Sequence, residues 1–428
     1  MAKFQPVKGM RDFWPGEMVR RQFVLDIMRN VAEKWGFLPM DTPALESFEL
    51  LAAKGGGGEE IKKEIYYFKD QGQRELGLRF DLTVPTARVI ASKLDLPLPF
   101  KRYQTGKVWR YDNPQALRWR EFTQMDFDIF GSDKPESDAE IVSLACCCFD
   151  ALGFEDFTIK LNNRKIIEGY IESVGIRDIS EVFRSIDKLD KIGEEGVQKE
   201  LLGKLKDKEK IKKILDFIKI KGRPEEVLKQ SKQVLTNKIA KDGLDNLEKI
   251  FNKIKVFGFD KSVTIDFSLV RGLNYYTGSV FEVAISGGKV SLGGGGRYDK
   301  MIEQFGGKPT PAVGIGLGFE RIVEIMIQNN MIEVEAPIKV FVVSVSESTK
   351  DKTIEVCQRL RREGIAADFD VSGKNFSAQL KSANSKSIPW VIIVGEQEVK
   401  ENKIKLKDMV CGEEKTASIE ELVRFLKK

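Results

Sequence analysis

Apolar and polar residues recur along this chain with different periods, and each period predicts a different kind of element. From Met18 to Trp35 apolar side chains stand at Val19, Phe23, Ile27 and Val31, a helical spacing that Gly36 closes. The stretch from Phe37 to Leu45 reads as a strand, with Pro43 at an edge or bulge because proline donates nothing to a ladder. Leu78 to Pro85 also reads as extended, which puts Asp81 and Thr83 on one face. From Phe100 to Gly131 two alternating strands flank a loop carrying Asp112, Arg118 and Arg120. Val108 and Arg110 share a face of the first strand, while Phe122, Gln124, Asp126 and Asp128 share a face of the second.

Residues 162 to 255 change character. Lysine and glutamate recur around helical stripes such as Ile211, Ile214, Leu215 and Ile218, the pattern of a small helical insertion. Strands resume at Val263 to Phe267, and Ala312 to Ile322 reads as a small-residue strand running into an amphipathic helix. From Pro337 onward strand and helix alternate: Val340 to Val345, Lys350 to Glu363 ended by Gly364, Val391 to Val394, and Ile419 to Leu426. That alternation predicts a compact α/β domain.

Composition narrows the options. A chain of 428 residues exceeds what one core usually serves and predicts two or three domains. With no run of 18 apolar residues and no apolar signal region at the start, the expectation is a soluble, cytoplasmic protein without a membrane span. The five cysteines, Cys146, Cys147, Cys148, Cys357 and Cys411, lack zinc-ligand spacing and read as reduced thiols. A net charge of +5 permits contact with nucleic acid without requiring it. There is no histidine, which removes every imidazole-based triad or metal site and leaves carboxylates, arginines and bound metal to carry any chemistry.

Two segments concentrate that chemistry. Val270-Arg271-Gly272-Leu273-Asn274-Tyr275-Tyr276-Thr277-Gly278 and Gly293-Gly294-Gly295-Gly296-Arg297-Tyr298-Asp299 each set an arginine beside glycines and tyrosines. Such a combination suits a site for an anion and a small polar ring, since arginine offers a fixed fork of donors and glycine admits close approach. The run Gly55 to Gly58 before Glu59 lacks the lysine and hydroxyl of a phosphate loop and reads as a mobile flap.

In order, spacing and residue type the two segments resemble the signatures of the histidyl-tRNA synthetase family. The resemblance extends to the helix, glycine and proline-containing strand near residue 40, similar to the first class II motif and its dimer interface. It also covers Phe100 to Gly131, similar to the second motif, and Ala312 to Ile322, similar to the third. It implies an antiparallel-sheet catalytic domain with a helical insertion and a C-terminal α/β anticodon-binding domain, divided as 1–161, 162–255, 256–334 and 335–428.

The implied activity is ATP-dependent activation of L-histidine to the adenylate and transfer to the 3′ end of tRNA(His), with Mg2+, in a homodimer. By matching positions the resemblance assigns Arg110, Arg271 and Arg321 to catalysis, and Asp81, Thr83, Gln124, Asp128, Arg271, Tyr275 and Tyr276 to histidine. It assigns Arg110, Glu121 and Arg321 to ATP. The helical insertion is expected to grip the tRNA acceptor arm, and Arg361, Arg362, Lys374, Lys381 and Lys386 are candidates to face RNA. Aspartate stands at 81 and 128 where many bacterial members carry glutamate, a side chain one methylene longer. The alternatives are the synthetase-like regulatory subunit of ATP phosphoribosyltransferase, and a class II enzyme for proline, threonine or glycine.

Overall fold

The computed structural model describes residues 4–54, 63–93, 95–115, 117–270, 275–285, 291–334, 336–401 and 403–427. The chain divides into two units, Met1–Met331 and Ile332–Lys428. In the first, the described strands are β1 Leu38–Pro39, β2 Leu45–Ser47, β3 Tyr67–Lys69, β4 Glu75–Leu78, β5 Phe100–Trp109 and β6 Glu121–Phe130. They continue with β7 Phe157–Asn163, β8 Lys221–Gly222, β9 Val263–Asp266, β10 Ser279–Ile285, β11 Gly293–Arg297 and β12 Ala312–Leu317.

Nine of these form one sheet in the order β1-β5-β6-β12-β11-β10-β7-β9-β8, antiparallel except where β1 meets β5 and β7 meets β9. β2, β4 and β3 make a separate small sheet. The stretch from Phe37 to Leu45 is therefore two short strands in different sheets. Pro39 sits on the outermost strand of the large sheet, where its missing donor costs nothing, and Pro43 lies between the two strands.

The first helix, Pro15–Lys34, starts with proline in its first turn, and Gly36 follows it at φ +77°. Its buried side is turned from the expected stripe: Arg21, Val24, Met28 and Val31 face inward, while Phe23 is exposed. The cause is polar. Arg21 goes inside to meet Glu320, and burying that pair fixes the helix rotation.

The extended reading of Leu78 to Pro85 is likewise corrected. β4 ends at Leu78, and Thr83 opens the helix Thr83–Ser92. An Asp81 carboxylate oxygen accepts from Val84 N at 3.0 Å, satisfying one of the amide donors that a helix start leaves unpaired.

Between β7 and β9 stand six helices, Arg164–Ser173, Ile179–Ile186, Leu189–Leu205, Lys208–Ile218, Pro224–Val234 and Lys238–Phe257. The predicted stripe Ile211, Ile214, Leu215 and Ile218 is fully inward. Phe217 stacks on Tyr170 at 3.8 Å and on Phe267 at 5.0 Å, so aromatic packing joins this helical layer to the end of β9.

The second unit is a five-stranded sheet of β13 Val340–Ser344, β14 Ala367–Phe369, β15 Trp390–Val394, β16 Ile404–Asp408 and β17 Glu414–Ala417, ordered β14-β13-β15-β16-β17. β13 runs parallel to both β14 and β15, and apolar residues cover both faces as buried parallel strands require. Leu360, Ile392 and Leu422 pack on one side, Phe341, Val391 and Ile388 on the other. The helix expected at Lys350 to Glu363 spans Lys350–Arg362, with Gly364 at φ +79° just beyond. Among the described residues no helix is long and apolar enough to cross a membrane.

Candidate active site

The large sheet carries a cavity of about 850 Å³. Its floor follows from strand parity. On β6, Phe122, Gln124, Asp126 and Asp128 turn toward the cavity, each one pleat from the next. β12 faces them with glycines: Gly316 pairs with Asp126 and Gly314 with Asp128. A Cβ at Gly314 would lie 1.8 Å from Asp128 Oδ1, so the carboxylate occupies space that only glycine leaves open. The four glycines Gly293 to Gly296 belong to β11 rather than to a turn. At Gly295 a Cβ would come within 2.1 Å of Gly314 O and force the two strands apart.

The cavity brings together Asp81, Thr83, Arg110, Gln124, Asp128, Tyr275, Tyr276 and Arg321. Arg110 lies one residue past β5; its Nε donates to Phe80 O at 3.0 Å and its guanidinium stands 5.1 Å from the Phe122 ring. Arg321, in the first turn of the helix Phe319–Gln328, donates through Nη1 to Ser291 O at 2.7 Å. The rings of Tyr275 and Tyr276 pack at 4.2 Å. Arg271, like the flap at Gly55 to Gly58, lies outside the described residues; Val270 and Tyr275, the nearest described residues on either side of it, both line the cavity.

Parity and pairing place two arginine- and carboxylate-bearing positions away from the cavity lining. Glu121 is not brought to the cavity: it sits on the opposite face of β6, where its carboxylate accepts from Trp109 Nε1 at 2.9 Å and Lys107 Nζ at 2.6 Å. Arg297 does not line the cavity either. Its guanidinium is buried against Asp138 and donates to Ser132 O at 2.9 Å, Ser137 Oγ at 3.0 Å and Asp299 Oδ1 at 3.1 Å, which anchors the end of β11.

The structure adds groups that the sequence reading did not assign. The Tyr298 hydroxyl donates to Asp128 Oδ1, and fully buried Arg102 pairs with Asp128 Oδ2 at 2.5 Å. Burial, then the Asp128 carboxylate beside it, push the Tyr298 hydroxyl well above the usual tyrosine value, so it remains a donor. Lys160 reaches Asp266 at 3.6 Å and Glu282 at 3.7 Å. Ile186, Asp187, Leu189, Asp190 and Lys191, where two helices of the insertion meet, also line the cavity. Alternation on β6 already pointed at Asp126, but Arg102 needed the hairpin register, which sets it opposite Asp128, and the insertion turn depends on contacts distant in sequence.

Under the third-motif helix, Glu320 accepts from Arg21 Nη1 at 2.6 Å, Arg21 Nη2 at 2.7 Å, Arg11 Nη2 at 3.1 Å and Thr123 N at 3.0 Å. Burial pushes this carboxyl up, but the Arg21 hydrogen bonds and charge, with Thr123 N and Arg11, outweigh it and hold the group below its ordinary value. The residue beside Arg321 is thereby pinned to the first helix.

A cavity combining three arginines, several carboxylates and three tyrosines agrees with what comparison with known proteins finds. A family model described as histidyl-tRNA synthetase matches residues 9–322, and one described as an anticodon binding domain matches 339–428. The histidine--tRNA ligase of Clostridium tetani is 39% identical, covering 98% of this chain and 97% of its own. That of Pyrococcus furiosus is 36% identical, covering 98% of each. The crystal structure of histidyl-tRNA synthetase from Nostoc sp. PCC 7120 superposes with a TM-score of 0.87 at 31% identity, covering 100% of this chain and 99% of that one. Sheet order, motif placement and full-length similarity lead to one assignment: the chain belongs to the histidyl-tRNA synthetase family.

Proposed function

We infer that this chain activates L-histidine with ATP and transfers the histidyl group to the 3′ end of tRNA(His), working as a homodimer in the cytoplasm. The observation that carries the reading is the convergence of Arg110, Arg321, Gln124, Asp81 and Asp128 on one cavity floored by glycine strands.

The chemistry joins two anions, a carboxylate and the α-phosphate of ATP, and the transition state spreads more charge over phosphorus. Arg110 and Arg271 neutralise that charge, while Arg321 holds the departing pyrophosphate. Positioning and electrostatics supply the acceleration, so no side chain forms a covalent bond and no imidazole is required. Asp81 and Thr83 take the ammonium group, Gln124 the amino-acid backbone, and Asp128 with Tyr276 the ring, where a neutral imidazole offers one donor and one acceptor.

Among the described residues no cluster of three or more potential ligands forms a metal cage. Asp266 and Glu282 line the cavity with hard oxygen donors, but Lys160 Nζ already lies 3.6 and 3.7 Å from them, so an ion arriving on the triphosphate would be held chiefly by phosphate oxygens. Such an ion supplies charge neutralisation. The insertion grips the acceptor arm and residues 335–428 read the anticodon, for which exposed Arg362, Lys374 and Lys381 remain candidates; Arg361 and Lys386 are bonded to Ala367 O and Asp368.

ATP–pyrophosphate exchange with each of the twenty amino acids tests this. Histidine alone is expected to drive exchange, Arg271→Ala to abolish it with the fold intact, and exchange driven by another amino acid would overturn the assignment. A regulatory subunit of ATP phosphoribosyltransferase would drive none.

A further inference from the structure

Arg102 is fully buried on β5, directly across the hairpin from Asp128. Among the described residues its Nε and Nη1 have no hydrogen-bond partner, and its single ion pair is the 2.5 Å contact with Asp128 Oδ2. Arginine stays protonated at any working pH, so a full positive charge lies in the protein interior with one carboxylate to offset it. It does not line the cavity, whereas Asp128 does. Among the described residues, other groups facing Asp128 include Tyr298, which donates to Oδ1, Tyr276 near Tyr298, and Asp126 one pleat away on β6.

We propose that Arg102 is a positioning residue for recognition of the amino-acid ring: its guanidinium balances the Asp128 charge, so the pocket takes imidazole in its neutral form. The proposal rests on the reading of Asp128 as the ring acceptor. Removing the Arg102 charge makes the Asp128 side of the pocket more negative and shifts its preference toward the cationic ring, as a buried anion favours a counter-charge. With Arg102 in place, carboxylate and guanidinium form a near-neutral unit that accepts a ring N–H and gains nothing from a second proton. Gly314 contributes by leaving open the space that the Asp128 carboxylate occupies. This answers the methylene missing from aspartate with a fixed partner behind it.

The experiment measures KM for histidine in ATP–pyrophosphate exchange across about pH 5.5 to 8, spanning the ordinary imidazole range. For the wild type, KM should rise about tenfold per pH unit below the ring pKa, near 6.5. For Arg102→Met the rise should vanish or reverse, changing the ratio of KM at acid to KM at neutral pH on the order of 100-fold. Arg102→Lys, which keeps the charge, should retain the wild-type profile. A wild-type profile in Arg102→Met overturns the proposal.

Because the chain has no histidine of its own, 15N NMR of bound labelled histidine reports the ligand ring without background. A doubly protonated ring on the wild-type enzyme near neutral pH also overturns the proposal, even if Arg102→Met does not fold. Failure of the underlying reading looks different. Either histidine drives no exchange in the wild type, or Asp128→Asn leaves KM for histidine unchanged.

Discussion

Replacing Glu320 by alanine tests whether the buried ion network, rather than apolar packing alone, fixes the third-motif helix. Arg21 is 6% exposed and loses two hydrogen bonds, of 2.6 and 2.7 Å, while Thr123 N loses one of 3.0 Å. Stranding one partner of a buried pair costs about 3–5 kcal/mol. The Phe13 ring, 3.9 Å from the Arg21 guanidinium, retains a cation–π contact and favours the lower end. The unit Met1–Met331 has an unfolding entropy of roughly 0.7 kcal/mol/K, so Tm should fall by about 4–7 °C.

Circular dichroism melts at neutral pH measure this. The pH dependence has a definite sign: the folded-state value of Glu320 is held below the unfolded one, so its contribution is complete above about pH 4.3. It disappears as pH falls through the folded value. The Tm gap between wild type and Glu320→Ala should therefore close in acid. A loss below about 1 °C at neutral pH, or a gap that widens in acid, would refute the reasoning.

Further outcomes follow from other sites. Arg110→Ala should lower kcat/KM for pyrophosphate exchange by about 10²- to 10³-fold with little change in melting, because the side chain faces the cavity rather than the core. Gly314→Ala should raise KM for histidine at least about tenfold, since its methyl and Asp128 Oδ1 cannot share the 1.8 Å between them; an unchanged KM would exclude the Asp128 assignment. Thiol titration of the native chain should find exposed Cys411 fast, with Cys146, Cys148 and Cys357 reacting only on unfolding, as burial pushes all three thiols up. Ultraviolet pH titration should show Tyr103 ionising late, near its value of about 12, because of burial and its hydrogen bond to Glu33.

What the sequence made legible was periodic or local. Phe100 to Gly131, Ile211 to Ile218 and Val340 to Val345 follow directly from side-chain alternation, because burial selects one face of a strand or helix. What it hid was decided by distant partners. The stripe on the first helix was displaced by Arg21 seeking Glu320, some 300 positions away, and an amphipathic count cannot anticipate a charged residue turned inward. Asp81 and Thr83 reach the same cavity as expected, but through a turn and a helix start rather than a strand. Glu121 carried a sequence warning: residue parity with Gln124 already set it on the far side of its strand.

The turn between Ile186 and Lys191 serves two structures at once, ending one helix of the insertion while walling the chamber where activation would occur. Lys188 ties the turn to Glu200 of the following helix at 2.8 Å, and Lys204 of that helix reaches Glu181 of the preceding one at 2.7 Å. Any shift of that turn would change the shape of the chamber, because its side chains form part of the wall. If the insertion holds RNA as proposed, whatever factor bound adenylate imposes on RNA affinity, RNA must impose on the adenylate.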